Sequence, residues 1–277
     1  MTLDRRWLLG TARAEREALG RTIQYTEPAS WEAPSVSAGW RNRDIVAHLA
    51  ASDVAAAAVL GGEAPAEFEE FVKSAEGGTF DLESFNRWSV ERRASEPFRS
   101  VVVEWGRAAD LLLARASKIP DEDWSKRTVP WVAGEIRVGY LLQSRVMEWW
   151  LHGEDIRAGA DLPARIEHPP IFAVNDLAIR MIPYALGATG RSFDGKSVAV
   201  ELEAAGGGTW HQGLAVGQRP DPKKKPNTSI VGRAYAFALV AGRRIPAEYY
   251  LAEGVLQIGG DVELGETILQ HLRSFAT

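Results

Sequence analysis

The sequence contains no cysteine, and that absence removes disulfides, thiolate metal sites and a cysteine nucleophile together. Any thiol chemistry would have to use a thiol supplied from outside. Long apolar runs are missing as well: stretches such as Val54 to Leu60 fall far short of the ~18–20 residues that a membrane-spanning helix needs. An excess of positive charge is also absent. The 32 basic and 37 acidic residues are well mixed and leave a net charge of −5, so no broad cationic field exists to gather phosphates and no nucleic-acid partner is expected. The one basic run, Lys223-Lys224-Lys225 between Pro222 and Pro226, reads as a solvated loop. At the N-terminus arginines are scattered through a helical pattern with no cleavable apolar core, which is the expected start of a cytoplasmic protein's first helix.

What is present is an ordinary globular composition, 45% hydrophobic and 25% charged, over 277 residues, a length that suits two domains. Apolar residues recur at helical spacing from Leu3 to Leu19 and again from Asn42, a suitable N-cap, to Leu60, where Gly61-Gly62 stops the pattern. Residues 63 to 95 read as shorter helical pieces around a Gly77-Gly78 turn, an insertion that would gate or merely decorate one end. Two more long helices fit Phe98 to Ile119 and, after a Pro130-Trp131 turn, Val138 to Ile156. Four long helices make a bundle, so residues 1–165 are expected to form an all-α domain.

Beyond residue 165 the texture changes. A helix from Ile171 to Leu186 leads into alternating runs at Ser197 to Glu203 and Thr209 to Val216, which read as a hairpin around Gly206-Gly207-Gly208. Strands at Ser229 to Val231 and Val255 to Ile258, with helices at Ala234 to Val240 and Val262 to Phe275, complete a small α+β domain over 166–277.

The chemistry concentrates on the fourth helix. Leu141, Arg145, Glu148, His152 and Asp155 follow spacings of 4, 3, 4 and 3, one stripe that begins apolar and turns ionisable. Burying such charges without partners would cost about several kcal/mol, so a cation is a natural companion. Glu148 and His152, four apart, can offer an oxygen and a nitrogen to one point, although the isolated pair is a weak signal. His48 lies on the apolar face of the second helix, where a core histidine bonded to Asp44 is the plainer interpretation. Together, His48, Glu148 and His152 make a His₂Glu set suited to zinc or another divalent metal with an open position. Asp155 could hold the second nitrogen of His152, and Arg145 could orient Glu148 or meet a substrate acid. Trp40 and Trp149, beside the ligands in sequence, are candidates to line a cofactor cleft. His168, His211 and His271 lack ligand spacing.

The segments GWRNRDIVAHLA from Gly39 to Ala50 and RVMEWWLHGEDI from Arg145 to Ile156 resemble the mycothiol-dependent maleylpyruvate isomerase family. The likeness spans nearly the whole chain. It implies a DinB-like four-helix bundle followed by a domain similar to sterol carrier proteins, zinc on the positions matching His48, Glu148 and His152, mycothiol as cosubstrate, and a catalytic arginine in the C-terminal domain. The segment from Ala238 to Arg244 matches that arginine's surroundings, with Arg243 as candidate and Arg244 or Arg233 as alternatives. The resemblance thus implies S-transfer to, or thiol-assisted isomerisation of, a small electrophile. A metal-dependent hydrolase and a non-catalytic binder of small ligands are the competing readings.

Overall fold

Asp4 opens the first helix, α1 (Arg5–Tyr25), by accepting a hydrogen bond from Trp7 N at 2.8 Å. This computed structural model describes residues 2–37, 39–75, 78–132 and 134–274. Gly77 of the expected Gly77-Gly78 turn and Phe275 of the expected last helix lie outside them. The chain divides into two compact units, Met1–Ala164 and Arg165–Thr277.

In the first unit four long helices form a ring: α1, α2 (Asn42–Leu60), α5 (Phe98–Ser117) and α7 (Val138–Gly159). Helix α2 packs most extensively on α5 and also on α7, while α1 packs on α7 and α5. The alanine-rich sequence of α2 allows close approach: Ala50, Ala56 and Ala57 of α2 and Ala108, Ala109 and Ala116 of α5 are all buried. Asn42 is the first residue of α2 and not its cap. Arg41 caps it, its backbone N–H donating to Asp44 Oδ2 at 2.9 Å, and Asn42 Nδ2 instead donates to Ser30 O. Helix α7 is buried at every position from Val138 to Ile156 apart from Tyr140, as befits the central element of a bundle.

Residues 63–95 do form two shorter helices, α3 (Ala66–Ser74) and α4 (Leu82–Arg93). Phe71 and Phe85 pack on Ala51 of α2 with Phe68, Phe80 and Trp88 around them. Buried Arg93 donates to Glu67 of α3 and Glu104 of α5, both at 2.6 Å, so this segment is fastened to the bundle by apolar contact and by charge. A short helix α6 (Asp121–Trp124) precedes a hairpin of β1 (Thr128–Trp131) and β2 (Gly134–Arg137). The expected Pro130-Trp131 turn is therefore strand, because a two-stranded ribbon leaves Pro130 free of the ladder donation that a central strand requires.

In the second unit, α8 (His168–Gly187) starts with Pro169 and Pro170 in its first turn, where missing N–H groups cost nothing. A four-stranded sheet runs in the order β4 (Gly208–Gly213), β3 (Ser197–Glu203), β5 (Thr228–Arg233), β6 (Leu256–Gly260). The β3–β4 and β5–β6 pairs are antiparallel and β3–β5 is parallel. Val198, Val200 and Leu202 of β3 and Ile230 of β5 are buried. Helices α9 (Ala234–Ala241), α10 (Ala247–Ala252) and α11 (Val262–His271) complete the unit. Helix α10 is an addition to the expected elements, and α11 is capped by Asp261, which accepts from Leu264 N at 3.0 Å. Lys223, Lys224 and Lys225 are exposed in the loop before β5.

Candidate metal centre

Helices α2 and α7 meet in a way that brings His48, Glu148 and His152 to one point. Glu148 Oε2 lies 3.3 Å from His48 Nε2 and 3.2 Å from His152 Nε2. One donor atom from each of the three residues falls within 4.8 Å of the others. The two imidazoles stand edge to face with centroids 5.1 Å apart, and the half-buried Trp40 ring lies 5.2 Å from His48. Asp44 is not the partner of His48, since its carboxylate is taken by the Arg41 guanidinium at 2.9 and 3.0 Å.

Asp155 fixes how His152 presents itself. The two groups are 2.9 Å apart at Nδ1 and Oδ2, and Ser37 Oγ donates to the same carboxylate oxygen at 3.3 Å. With its proton on Nδ1, a neutral His152 turns the Nε2 lone pair toward the Glu148 oxygen. Lone pairs facing each other at that distance repel unless a proton or a cation lies between them. Burial lowers the pKa of His48, against its hydrogen bond to Glu148. Burial also opposes charge on Glu148 and His152. It is overcome at Glu148 by hydrogen bonds to His152 and His48, which hold its carboxyl well below the usual range, and at His152 by Asp155 and Glu148, which raise its pKa.

The arrangement fits a divalent cation. Zinc bonds of about 2.0–2.1 Å at tetrahedral angles place neighbouring ligand atoms roughly 3.3 Å apart, close to the separations between Glu148 and the two imidazoles. Two imidazoles and one carboxylate also leave a coordination position for another ligand. No guanidinium or ammonium hydrogen-bonds Glu148 among the described residues; against burial, it is held ionised by the hydrogen bonds to His152 and His48 and by the charge of nearby Arg145.

Trp149, expected to line a cleft, and Arg145, expected to orient Glu148 or meet a substrate acid, both bond Asp53 of α2. Trp149 is fully buried, and its indole N–H donates to Asp53 Oδ2 at 2.7 Å. Arg145 is only 3% exposed, and its Nε donates to Asp53 Oδ1 at 2.7 Å. Asp53 and Ser37 were not foreseen. A single carboxylate in the Ala-Ser-Asp-Val-Ala run of α2 was the available signal, but it lies off the 4-and-3 stripe through His48.

In the second unit, Arg243 follows α9 with φ 58, a left-handed position that glycine usually fills. Arg243 is exposed and has no ion pair among the described residues, whereas Arg233 lies 3.7 Å from Glu203 and Arg244 Nη1 donates to Gly242 O. His168 and His211 serve the unit's own architecture, through Gly206 N and Ser197 Oγ respectively.

A helical bundle that buries a His₂Glu cluster on two touching helices, followed by a sheet-containing unit, defines a class of bundle proteins with a candidate three-ligand metal site. The chain belongs to the mycothiol maleylpyruvate isomerase family, whose N-terminal domain model matches residues 12–157. Its fold is shared with a point mutant of mycothiol-dependent maleylpyruvate isomerase, at 14% identity, 93% coverage of both chains and a TM-score of 0.58. A second structure of mycothiol-dependent maleylpyruvate isomerase is 15% identical, with 87% of this chain and 90% of that one covered and a TM-score of 0.58. No protein of curated function matches the sequence.

Proposed function

We propose that the protein is a divalent-metal-dependent enzyme that uses a low-molecular-weight thiol, mycothiol, for S-transfer to, or isomerisation of, a small electrophilic substrate. The convergence of His48 Nε2, Glu148 Oε2 and His152 Nε2 carries the metal part of this reading. Membership of the family supports the thiol. A bound divalent cation, zinc above all, would lower the pKa of a thiol and hold it as thiolate near neutral pH.

The chain's own residues have separable tasks in this reading. Glu148 stays ionised, Asp155 holds His152 in the tautomer that offers Nε2, and Trp40 borders His48 where a ligand's apolar part would lie. Arg243 binds a substrate carboxylate or stabilises developing negative charge, and its costly backbone position favours a selected role for that side chain. Addition of the thiolate to an activated double bond, rotation about the resulting single bond and loss of the same thiolate would give net isomerisation. Retention of the new C–S bond, with uptake of a proton at the neighbouring carbon that takes the negative charge, would give a thioether. A thiol-rich cytoplasm is the compartment this chemistry expects, and none of the described helices is long and apolar enough to cross a membrane.

The test is turnover of a panel of small electrophiles by metal-loaded protein with and without mycothiol. Strict dependence on the thiol is the expected result. Turnover that persists at full rate without any thiol would instead mark a hydrolase that activates water.

A further inference from the structure

The two histidines of the site are held by different means. His152 is oriented directly, through its Nδ1 contact with Asp155 at 2.9 Å. His48 has no such support: its buried Nδ1 has no hydrogen-bond partner among the described residues. Where His48 Nε2 sits therefore depends on where α2 sits against α7. Contacts between the helices run in opposite order, with His48 meeting Glu148 and His152, and Asp53 meeting Arg145 and Trp149.

Asp53 is the charged end of this contact. It is completely buried, and its two oxygens accept separately from Arg145 Nε and Trp149 Nε1, each at 2.7 Å. Those donors come from residues four apart on α7, so they grip the carboxylate from successive turns. Five residues separate Asp53 from His48, about 7.5 Å along a helix axis. A slide of α2 by even one residue's rise, about 1.5 Å, would break the Asp53 grip and displace His48 by far more than the ~0.2 Å that metal–ligand distances tolerate. Asp53 takes Arg145 Nε, while Arg145 Nη2 is buried with no hydrogen-bond partner among the described residues.

We infer that Asp53 is a positioning residue for the metal site, locking α2 to α7 through Arg145 and Trp149 so that His48 meets Glu148 and His152. The inference rests on the proposed metal-binding role of that site. Buried ion pairs contribute little net stability compared with apolar replacements, and fixing register is their best-attested use.

The test is cobalt(II) binding, read by competition affinity and by the intensity of d–d absorption, with metal-free thermal midpoints measured in parallel. Asp53→Asn is expected to weaken cobalt binding by about 10–100-fold and to change the absorption bands. Arg93→Gln, which loosens a buried ion cluster joining α4 to α3 and α5, should keep wild-type affinity and bands. Should Asp53→Asn not fold, Trp149→Phe removes one of the two donors while keeping an aromatic ring, and is expected to weaken binding several-fold. Wild-type affinity and absorption in the folded Asp53 variant, or in Trp149→Phe, would overturn the inference. So would equal weakening by Arg93→Gln, which would make general loosening the cause. A wild-type protein that takes up no cobalt would overturn the reading of the site itself, an outcome distinct from tight binding that is indifferent to Asp53.

Discussion

Two long, deeply buried helices, one in each unit, carry ionisable groups to opposite ends. Helix α8 buries Asp176 at 1% exposure, but Arg180 grips it with Nε and Nη2, both at 2.8 Å, and Trp210 Nε1 donates to it at 3.0 Å. The charge is closed by the chain itself. Helix α7 buries Glu148 against two imidazoles that act as ligands when neutral, and Arg145, whose Nε donates to Asp53, makes no hydrogen bond to it. A buried carboxylate is therefore no sign of a site by itself. Several potential ligand atoms converging with no guanidinium bonded among them make the difference.

The sharpest way to break this comparison is to remove a convergent ligand. Glu148→Gln should lower metal affinity by more than about 100-fold, since an amide is a far poorer ligand for a hard cation than a carboxylate. Asp176→Asn should leave metal content untouched and cost about 1.5–3 kcal/mol of stability through the loss of charged hydrogen bonds. Calorimetry with metal analysis of both variants checks the pair. Metal loss in the α8 variant would erase the distinction between the helices.

Acidity should separate them as well. Protonated His152 cannot ligate, and its pKa is raised by Asp155 and Glu148 against burial. The metal-binding form is then complete only above that raised pKa, and affinity should fall as pH drops through it, beginning above the ordinary histidine range. Proton release on metal addition, followed by calorimetry in buffers of different ionisation enthalpy, measures this. Affinity that stays constant down to the ordinary range would contradict the assigned environment of His152.

A smaller effect is expected at Arg243. Glycine there should relieve a left-handed backbone and raise stability by about 0.5–1 kcal/mol, while turnover falls. Stability and turnover falling together would mean that the arginine supports the unit's structure instead.

The sequence made α7 legible because Arg145, Glu148, His152 and Asp155 repeat at helical spacing, and the same rule found His48 on the apolar face of α2. It failed where neighbours in space are off the repeat. Asp53 belongs to no stripe with His48, and only the contact of α2 with α7 shows that its partners are Arg145 and Trp149. Trp149 read as a cleft wall because sequence proximity to Glu148 says nothing of which way an indole faces. The β1–β2 ribbon was hidden by Pro130, whose turn preference is overridden by pairing with Glu135. Helix α10 is only six residues long, too short for a periodic signal.

The most direct test of the central claim is the metal content of protein purified without a histidine tag or chelator, wild type beside His152→Ala. About one zinc-type divalent ion per wild-type chain is expected, and its loss in the variant. A wild-type protein that is metal-free and also refuses added zinc, nickel and manganese would contradict it.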